Sequence, residues 1–481
     1  MTDSQAGFIR RIIAAALAAL PVLLTGCTEK AAVLPYSGFR PLGDDAIAAD
    51  SSLWGELNVH DPSVIKDGGY YYVFSTDASN GNRHPLGVQI RRSKDLVTWE
   101  YRGAAFRDFK NDCAEPIAYA GLWLPNHDGL WAPDIIKSGG RYRLYFSAST
   151  FGSQKSCIAL AESKNIEGPY TYKGIVVKSS AGPGPNAIDP ALVRSKEGGL
   201  YLAYGSFFGG IWLAELDGKT GFFRDAAEPV KIAGGNHAAV EGAAIVYFPE
   251  TDYYYLFVSY GSLSKDYNIR LARSRRIDGP YLDAQGRDMN NAALARAGRV
   301  GVKLMGGYNF DPDSGTAETG GYKAPGHNSV LVDGEDRFIL HHVRSYALPD
   351  YWFTMNVRRF ALNRFGWPVI SPLRYGGERF EPEDPPRGDY KLIPHGDDTN
   401  AASPEALPFH LEAGTLTGSL SGTYRIYDGF RMELILDGKP YDGLVFSQPK
   451  AAEGRGDYAE TGFRAFSVMS EDGYCVWGLL E

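Results

Sequence analysis

The sequence predicts an all-β protein: a five-bladed β-propeller followed by a small C-terminal β-barrel-like domain. Three observations support this prediction. The 481 residues include 30 Tyr, 24 Phe, 57 Gly and 28 Pro, a composition typical of aromatic strands separated by frequent turns. A unit of turns and strands occurs five times between about residues 53 and 380. After residue 380 the repeat stops, and strands with a different pattern follow a Pro-rich linker.

The N-terminus has the features of an export signal. An apolar run from Ile12 to Leu24 follows two arginines and is too short to span a bilayer comfortably. The run ends in Leu-Thr-Gly-Cys27, which resembles the lipobox of bacterial lipoproteins, in which the cysteine is lipidated. We expect residues 1–27 to be a lipoprotein signal peptide and residues 28–52 a tether. The protein would then be exported and anchored by lipid on Cys27 to a bacterial membrane, at the outer membrane or cell surface. The alternative is an ordinary signal peptide with a chance cysteine.

Charge and cysteine content exclude several classes of function. The net charge is −8 and no long Lys/Arg run occurs, so we expect no nucleic-acid partner. Without Cys27, the odd number of cysteines allows at most one disulfide, and the sequence does not identify the pair among Cys113, Cys157 and Cys475. None has the spacing of a zinc site. We expect a monomer.

Each repeated unit begins with a polar residue in a tight turn and continues, about ten residues later, into an aromatic strand. The five starts are His60-Asp61-Pro62, Ala132-Pro133-Asp134, Ile188-Asp189-Pro190, Val240-Glu241-Gly242 and Gly326-His327-Asn328. Each motif alone could be an ordinary turn. Because the innermost strand of every blade lines the central channel, their occurrence at one phase of a repeat predicts a shared funnel. The side chains expected there are Asp61, Asp134, Asp189, Glu241 and His327.

The last part of the chain predicts a second, smaller domain. Residues 381–389 form a Pro-rich, acidic linker between the propeller, residues 53–380, and the remainder. Residues 390–481 contain alternating strands, and Asp437-Gly438 is a hairpin turn signal. We expect an all-β domain without a catalytic carboxylate cluster.

The carboxylates of the funnel suit the hydrolysis of a glycosidic bond. This reaction needs one carboxylic acid to protonate the leaving oxygen and a second carboxylate to activate water or attack carbon. Asp61 and Glu241 could form that pair, because they project into one channel from different blades. A further carboxylate nearby, Asp189, could raise the pKa of the acid by like-charge repulsion and orient it.

Aromatic residues at the blade ends fit a sugar ligand. Trp131, Phe151, Phe207 and Phe208 could stack on a pyranose or furanose face, or they could pack between blades. His327 has no acid/base role if the carboxylates do the chemistry, and it could hold water or a cation at the bottom of the funnel.

These motifs together resemble glycoside hydrolase family 43, and most closely its endo-α-1,5-L-arabinanases. His60-Asp61-Pro62 is similar to the motif of the family's general base, Asn186-Ala187-Ile188-Asp189-Pro190 to that of its pKa modulator, and Val240-Glu241-Gly242 to that of its general acid. The resemblance implies an inverting hydrolase of arabinan with Asp61 as base, Glu241 as acid and Asp189 as pKa modulator.

The resemblance also implies substrate and metal contacts. Trp131-Ala132-Pro133-Asp134 and the run from Ser149 to Cys157 are similar to arabinanase signatures, and Gly205-Ser206-Phe207 is similar to the substrate-lining segment. The substrate-binding residues it implies are Trp131, Asp134, Phe151, Asn186, Ser206 and Phe207. Gly326-His327-Asn328-Ser329 resembles the motif whose histidine binds a central calcium ion, so calcium is expected at His327. The C-terminal domain is similar to that of two-domain bacterial arabinanases.

Two alternatives stay open. The first is an exo-acting arabinanase, an α-L-arabinofuranosidase or a β-xylosidase on the same scaffold, because loops at the funnel rim decide how a chain enters the cleft. The loop after Tyr260-Gly261-Ser262 is short, and the acid motif continues as Gly242-Ala243 where many arabinanases have Ala-Pro. The second alternative is a surface lipoprotein that binds glycans without cleaving them.

Overall fold

The computed structural model describes residues 44–480 except for 81–82, 123–128, 226, 311–320, 347–352, 381–383, 399–403, 405 and 448–463. The predicted signal peptide, with Cys27, and the first part of the tether lie outside the described residues. Within the described part, no helix has the length and apolarity needed to cross a membrane.

Five four-stranded antiparallel sheets form the central region, and we number them blades 1 to 5 in chain order. Their strands are β1 (Ser63–Asp67), β2 (Tyr70–Ser75), β3 (Gln89–Ser93) and β4 (Trp99–Ala104); β5 (Trp131–Ser138), β6 (Arg141–Ala148), β7 (Ser156–Ser163) and β8 (Thr171–Ser179); β9 (Ala191–Arg194), β10 (Leu200–Tyr204), β11 (Ile211–Leu216) and β12 (Val230–Ala233); β13 (Val240–Phe248), β14 (Tyr253–Tyr260), β15 (Asn268–Ser274) and β16 (Val302–Met305); β17 (Tyr322–Asp333), β18 (Asp336–Ser345), β19 (Thr354–Leu362) and β20 (Pro368–Ile370). The first strands of successive blades contact one another, and β17 contacts β1, so the ring closes. The predicted five-bladed propeller is confirmed.

Apolar cores lie between neighbouring blades because each sheet buries both of its faces. Blades 1 and 2 share a cluster around Phe74 and Phe146, and blades 3 and 4 share one around Ile211 and Leu256. Blade 5 packs on blade 1 through a smaller cluster that includes Leu340. These cores fix the blades around the channel that the inner strands line.

The C-terminal region is a closed barrel of eight antiparallel strands, which confirms the predicted second domain. Its strands are β21 (Gly388–Pro394), β22 (Leu407–Glu412), β23 (Thr415–Gly418), β24 (Gly422–Tyr427), β25 (Arg431–Leu436), β26 (Lys439–Ser447), β27 (Arg464–Ser470) and β28 (Cys475–Leu480). Apolar side chains such as Leu411 and Phe466 fill the interior. Barrel residues, Trp477 among them, also join Tyr308 and Trp367 in one core cluster with blades 4 and 5.

Short helices occur outside the sheets. They are α1 (Asp44–Ala49), α2 (Phe109–Asp112), α3 (Ala114–Ala120) and α4 (Ala292–Arg296), with a 3-10 turn at Ser51–Leu53. In α1, Ile47 is buried, and its carbonyl accepts a hydrogen bond from Nε1 of Trp54 at 2.7 Å. The end of the predicted tether therefore packs against the propeller.

The three cysteines of the described chain are all buried and free. Burial raises the pKa of the Cys157 thiol to about 12, and it raises the pKa of Cys113 and Cys475 further. They act as small apolar core residues.

Candidate active site

A β-bulge at the start of the inner strand directs the side chains of most blades into the channel. The β5–β6 register skips two residues between Trp131 and Asp134, the β13–β14 register between Glu241 and Ala244, and β17–β18 between Gly326 and Ser329. Such bulges interrupt strand pairing and re-aim side chains.

The bulges show that the five predicted residues do not all occupy the same position of the repeat. Asp61, Asp189 and His327 hold the same position, each with a left-handed φ, of 52°, 58° and 44°. In the other two blades Ala132 and Gly242 take this position, with φ of 39° and 59°. Glu241 therefore lies one residue before the shared position and Asp134 two residues after it. The turn pattern in the sequence does not reveal these offsets of one or two residues.

Asp61 is buried and lies at the centre of a hydrogen-bond network. Its carboxylate contacts Nδ1 of His60 at 2.8 Å and Nδ1 of His327 at 3.0 Å, and it accepts a bond from the Thr76 hydroxyl at 2.6 Å. Burial alone would raise the pKa of Asp61, but His327 and His60 outweigh it and hold the pKa well below its usual range. Asp61 is thus kept ionised, as a general base requires.

Stacked aromatic rings support the hydrogen-bond network of Asp61. The His342 ring lies on that of His60 with centroids 3.8 Å apart, and its Nδ1 accepts the backbone N–H of Asp61 at 3.3 Å. Burial, and then the neighbouring His60, hold the pKa of His342 well below its usual range, so this ring is neutral. The Tyr267 ring also stacks on the His342 ring, with centroids 5.6 Å apart.

Nitrogen and oxygen atoms of His60, Asp61 and His342 lie within 4.8 Å of one another, close enough to share a metal ion. In this structure the same atoms are hydrogen-bond partners: both histidines position Asp61, one through its carboxylate and one through its backbone N–H.

Glu241 is held through both carboxylate oxygens. The hydroxyl of Tyr267 donates to Oε1 at 2.7 Å and the hydroxyl of Ser206 donates to Oε2 at 2.6 Å. Ser206 was predicted to bind substrate, and in the structure its hydroxyl contacts the predicted acid.

Asp189 interacts electrostatically with both predicted catalytic carboxylates. Its Oδ2 accepts the backbone N–H of Gly242, next to Glu241, at 3.2 Å. Burial raises the pKa of Asp189 to about 7; His327 opposes this rise, and the charges of Glu241 and Asp61 add to it. The structure thus brings Asp61, Asp189, Glu241 and His327 into one electrostatic cluster, as the sequence predicted.

His327 links this cluster to the channel below. Burial lowers its pKa, but the charges of Asp61, Asp189 and Glu241 outweigh that effect and raise the pKa of His327 to about 9. Its backbone N–H is held by the Ser259 hydroxyl at 2.7 Å. These charges favour the protonated form of His327, whose Nδ1 is paired with Asp61.

A cavity of about 130 Å³ lies in the channel and is lined by residues of all five inner segments. Among them are Pro62, Asp134, Pro190, Ala243, His327 and Asn328. Asp134 is turned into the wall, where it accepts bonds from the Ser63 hydroxyl and the backbone N–H groups of Leu192 and Ile135. Burial raises the pKa of Asp134 to about 6.

The cavity has donor atoms that fit a hydrated cation. Asn328 is buried, and neither atom of its side-chain amide has a hydrogen-bond partner among the described residues. The Ser329 hydroxyl is equally unpartnered. Buried polar atoms normally bind water or an ion, and oxygen atoms are the ligands that calcium prefers. The residues present therefore fit the expected calcium ion.

The predicted aromatic contacts differ in exposure. Phe151 is 72% exposed at the end of blade 2, whereas Trp131 and Phe207 are half-buried. Asn186 is buried, and its amide donates to the Ser153 carbonyl at 3.2 Å, so it holds the loop that carries Phe151. Phe151 is the ring best placed to contact a ligand from solvent.

Sequence reasoning did not identify Thr76, Tyr267 and His342 as part of the site. They come from the end of β2, the loop before β15 and the middle of β18, outside the repeated motifs. Only the folded ring brings them beside Asp61 and Glu241. One signal was available: the His341-His342 pair interrupts an otherwise apolar run from Phe338 to Val343.

The arrangement provides an ionised carboxylate on one blade and a hydroxyl-bound carboxylate on another, at one end of a channel. A buried third carboxylate interacts with both of them, and one exposed aromatic ring, Phe151, lies at the end of blade 2. These are the groups that acid–base hydrolysis of a sugar polymer requires.

Comparisons with known proteins agree with this chemistry. The sequence profile described as "Glycosyl hydrolases family 43" matches residues 55–368, and the one described as "C-terminal lipocalin-like domain" matches residues 372–478. A protein named "Extracellular endo-alpha-(1->5)-L-arabinanase", from Thermotoga petrophila, is 35% identical over 457 residues, which cover 88% of this chain and 93% of the relative. "Extracellular endo-alpha-(1->5)-L-arabinanase 2" of Bacillus subtilis is 33% identical over 470 residues, which cover 90% and 95%. The crystal structure of the endo-1,5-alpha-L-arabinanase from Thermotoga petrophila RKU-1 superposes with a TM-score of 0.78 at 32% identity, covering 88% of this chain and 98% of that one.

Proposed function

The chain belongs to family 43 of the glycosyl hydrolases, and from this premise we propose that it is an inverting endo-α-1,5-L-arabinanase. Asp61 is the general base, Glu241 the general acid and Asp189 the residue that tunes and orients the acid. The relatives named endo-arabinanases match both domains of this chain, which supports the endo mode of action.

In the proposed reaction, Glu241 gives a proton to the glycosidic oxygen while a water molecule attacks the anomeric carbon from the opposite face. Asp61 takes the proton of that water, and its histidine and threonine partners keep it ionised and in place. Asp189 accepts the backbone N–H of Gly242 and so orients the segment that carries the acid.

The observation that carries the proposal is the contrast between the two carboxylates. Cationic and polar partners surround Asp61, whereas Glu241 has only neutral hydroxyls as its described hydrogen-bond partners and a carboxylate nearby. Two carboxyl groups in different surroundings, one to act as base and one as acid, are typical of glycosidase sites.

The direct test is digestion of linear α-1,5-arabinan by residues 28–481, with early products resolved by size. We expect a ladder of oligosaccharides from the parent. The Glu241→Gln variant should lose about 10²- to 10⁴-fold in rate while it keeps the parent's melting temperature. Glu197→Gln, at an exposed turn of blade 3, is the matched control and should behave as the parent.

Different outcomes identify the alternatives. Release of arabinose alone would mean an exo-acting enzyme on the same propeller. Binding of arabinan without any release of sugar would favour the glycan-binding lipoprotein. Activity of Glu241→Gln within about tenfold of the parent would remove Glu241 from the role of acid.

We also propose that a calcium ion occupies the channel cavity, held by the His327 side chain and water beside Asn328 and Ser329. Binding would require the His327 ring in its neutral form, and the charge of the ion would then replace that of the imidazolium near Asp61. Removal of the ion with a chelator should lower both the melting temperature and the rate. If neither changes, the calcium proposal is wrong.

We further propose that the protein is exported and remains attached to a membrane by lipid on Cys27. The names of its relatives, which describe extracellular enzymes, support export. The sequence before Cys27 supports lipidation. Replacement of Cys27 by Ser should abolish incorporation of labelled palmitate and move activity from the membrane fraction. Labelling of the variant equal to that of the parent would contradict the anchor.

A further inference from the structure

We propose that Tyr267 is the positioning residue of the general acid: it holds Oε1 of Glu241, so that the transferred proton is carried on Oε2, beside Ser206. The inference rests on the proposed function of Glu241 and adds which oxygen acts and which residue selects it.

The two hydroxyls on Glu241 are chemically different. Both donate to its side-chain oxygens, at 2.7 Å from Tyr267 and 2.6 Å from Ser206. Once Glu241 carries a proton, its two oxygens differ: the carbonyl oxygen stays a good acceptor, and the hydroxyl oxygen becomes a poor one. A phenol is a stronger donor and a weaker acceptor than an aliphatic hydroxyl, because its oxygen lone pair is delocalised into the ring. Tyr267, the stronger donor, therefore keeps the carbonyl oxygen Oε1, and the proton resides on Oε2.

Burial prevents Tyr267 from turning away. The residue is 1% exposed, and among the described residues its hydroxyl has no other hydrogen-bond acceptor. A buried hydroxyl that loses its acceptor is left with an uncompensated desolvation penalty. Tyr267 thus donates to Oε1 before and after proton transfer.

The fold holds the Tyr267 ring in place from several sides. The ring stacks on His342, which stacks on His60 beside the base. A Cβ at Gly326 would lie 1.9 Å from Cδ1 of Tyr267, so only glycine at that position leaves room for the ring. The backbone N–H of Tyr267 donates to the Ser262 carbonyl at 3.0 Å. The short rim loop after Tyr260 therefore delivers a fixed hydroxyl to the acid.

The proton balance of the step gives Tyr267 its effect on rate. The proton leaves Oε2 for the glycosidic oxygen, which also receives the electron pair of the breaking bond to carbon. Negative charge then develops on Glu241, while the proton of the attacking water goes to Asp61. A hydroxyl already aimed at Oε1 strengthens its bond as this charge develops, so it stabilises the transition state more than the ground state.

The test compares Tyr267→Phe with Tyr260→Phe. Phenylalanine keeps the ring stack and removes only the hydroxyl. Tyr260 is a buried tyrosine of the same blade whose hydroxyl has no described partner, so its variant is the matched control. Both variants and the parent are assayed on linear arabinan and on a 4-nitrophenyl arabino-oligosaccharide, whose phenolate leaves without protonation.

We expect Tyr267→Phe to lose about 10- to 100-fold in kcat on arabinan, with little change in KM, and much less on the nitrophenyl substrate. The ratio of the two rates in one preparation does not depend on how much protein is folded. The basic limb of the pH–rate profile should move to higher pH, because the ionised acid loses a donor. This variant leaves the other charges near Glu241 unchanged, which are those of Asp189, His327 and Asp61.

If the parent protein does not cleave arabinan, the proposed function itself is wrong. If the parent is active and Tyr267→Phe has the same ratio of rates on the two substrates and the same basic limb of the pH–rate profile, only the proposed role of Tyr267 is wrong.

Discussion

Asp189 and Asp61 show how surroundings give one residue type two different states. Asp61 accepts from a threonine hydroxyl and contacts two histidines, so its charge is compensated although it is buried. Asp189 is buried with one backbone N–H as its described donor and with carboxylates nearby, and its pKa rises to about 7. The difference follows from the balance of desolvation and local charge.

We expect Asp189→Asn to lower the rate and to move the basic limb of the pH–rate profile to lower pH. Removal of the negative charge makes ionisation of the neighbouring acid easier. A pH–rate series on arabinan measures both effects. An unchanged limb would leave Asp189 with a structural role only.

The same variant should alter the pH dependence of stability. Because the folded pKa of Asp189 is about 7, above its usual value, the folded protein binds more protons than the unfolded chain between about pH 4 and 7. This contribution to stability is lost as pH rises through 7. Asparagine does not titrate, so the stability of Asp189→Asn relative to the parent should increase over that range. Denaturant unfolding in chelator, at several pH values, would show it; a constant difference would contradict the assignment.

At the scale of strands, the bulged starts of β5, β13 and β17 determine which side chains face the channel. The site depends on close contacts between these starts and the neighbouring blade. Gly326 at the start of β17 lies against the Tyr267 ring of blade 4, with no room for a methyl group.

We expect Gly326→Ala to lower the free energy of unfolding by about 1–3 kcal/mol and to reduce activity, because the new methyl group displaces Tyr267. Gly218→Ala is the control, since a Cβ there meets nothing within 4 Å. Thermal melts and arabinan assays of both variants test this. A fully active, equally stable Gly326→Ala would show that the contact is not essential.

The sequence predicted the propeller and most of the site because the repeats are local patterns. Asp61 and Asp189 precede proline in similar motifs, so their shared position was visible without a structure. The offsets of Glu241 and Asp134 were not visible, since a bulge is set by pairing with the next strand. Tyr267 was missed for the same kind of reason: its role arises from contacts between blades.

At the scale of the whole molecule, the barrel and the propeller share a hydrophobic core. Trp477 of the barrel is fully buried, and its ring packs on Tyr308 of the propeller with centroids 5.2 Å apart. The guanidinium of Arg358, on blade 5, donates to the Tyr308 hydroxyl at 2.6 Å. A shared core of this kind couples the stability of the two domains.

We therefore expect one cooperative unfolding transition for both domains. Leu411→Ala, in the barrel interior, removes a fully buried side chain and should cost about 2–5 kcal/mol. Calorimetry should show one transition at lower temperature, with arabinan cleavage lost at that same temperature. A barrel that melts first while activity persists would contradict the coupling.

The measurement that tests the central claim most directly is the anomeric configuration of the first product, followed by proton NMR during cleavage of α-1,5-arabinan. Water activated by Asp61, opposite a leaving group protonated by Glu241, must give the β-anomer first, with the α-anomer appearing only by later mutarotation. Initial formation of the α-anomer would mean retention through a covalent intermediate, and Asp61 would then not be a general base.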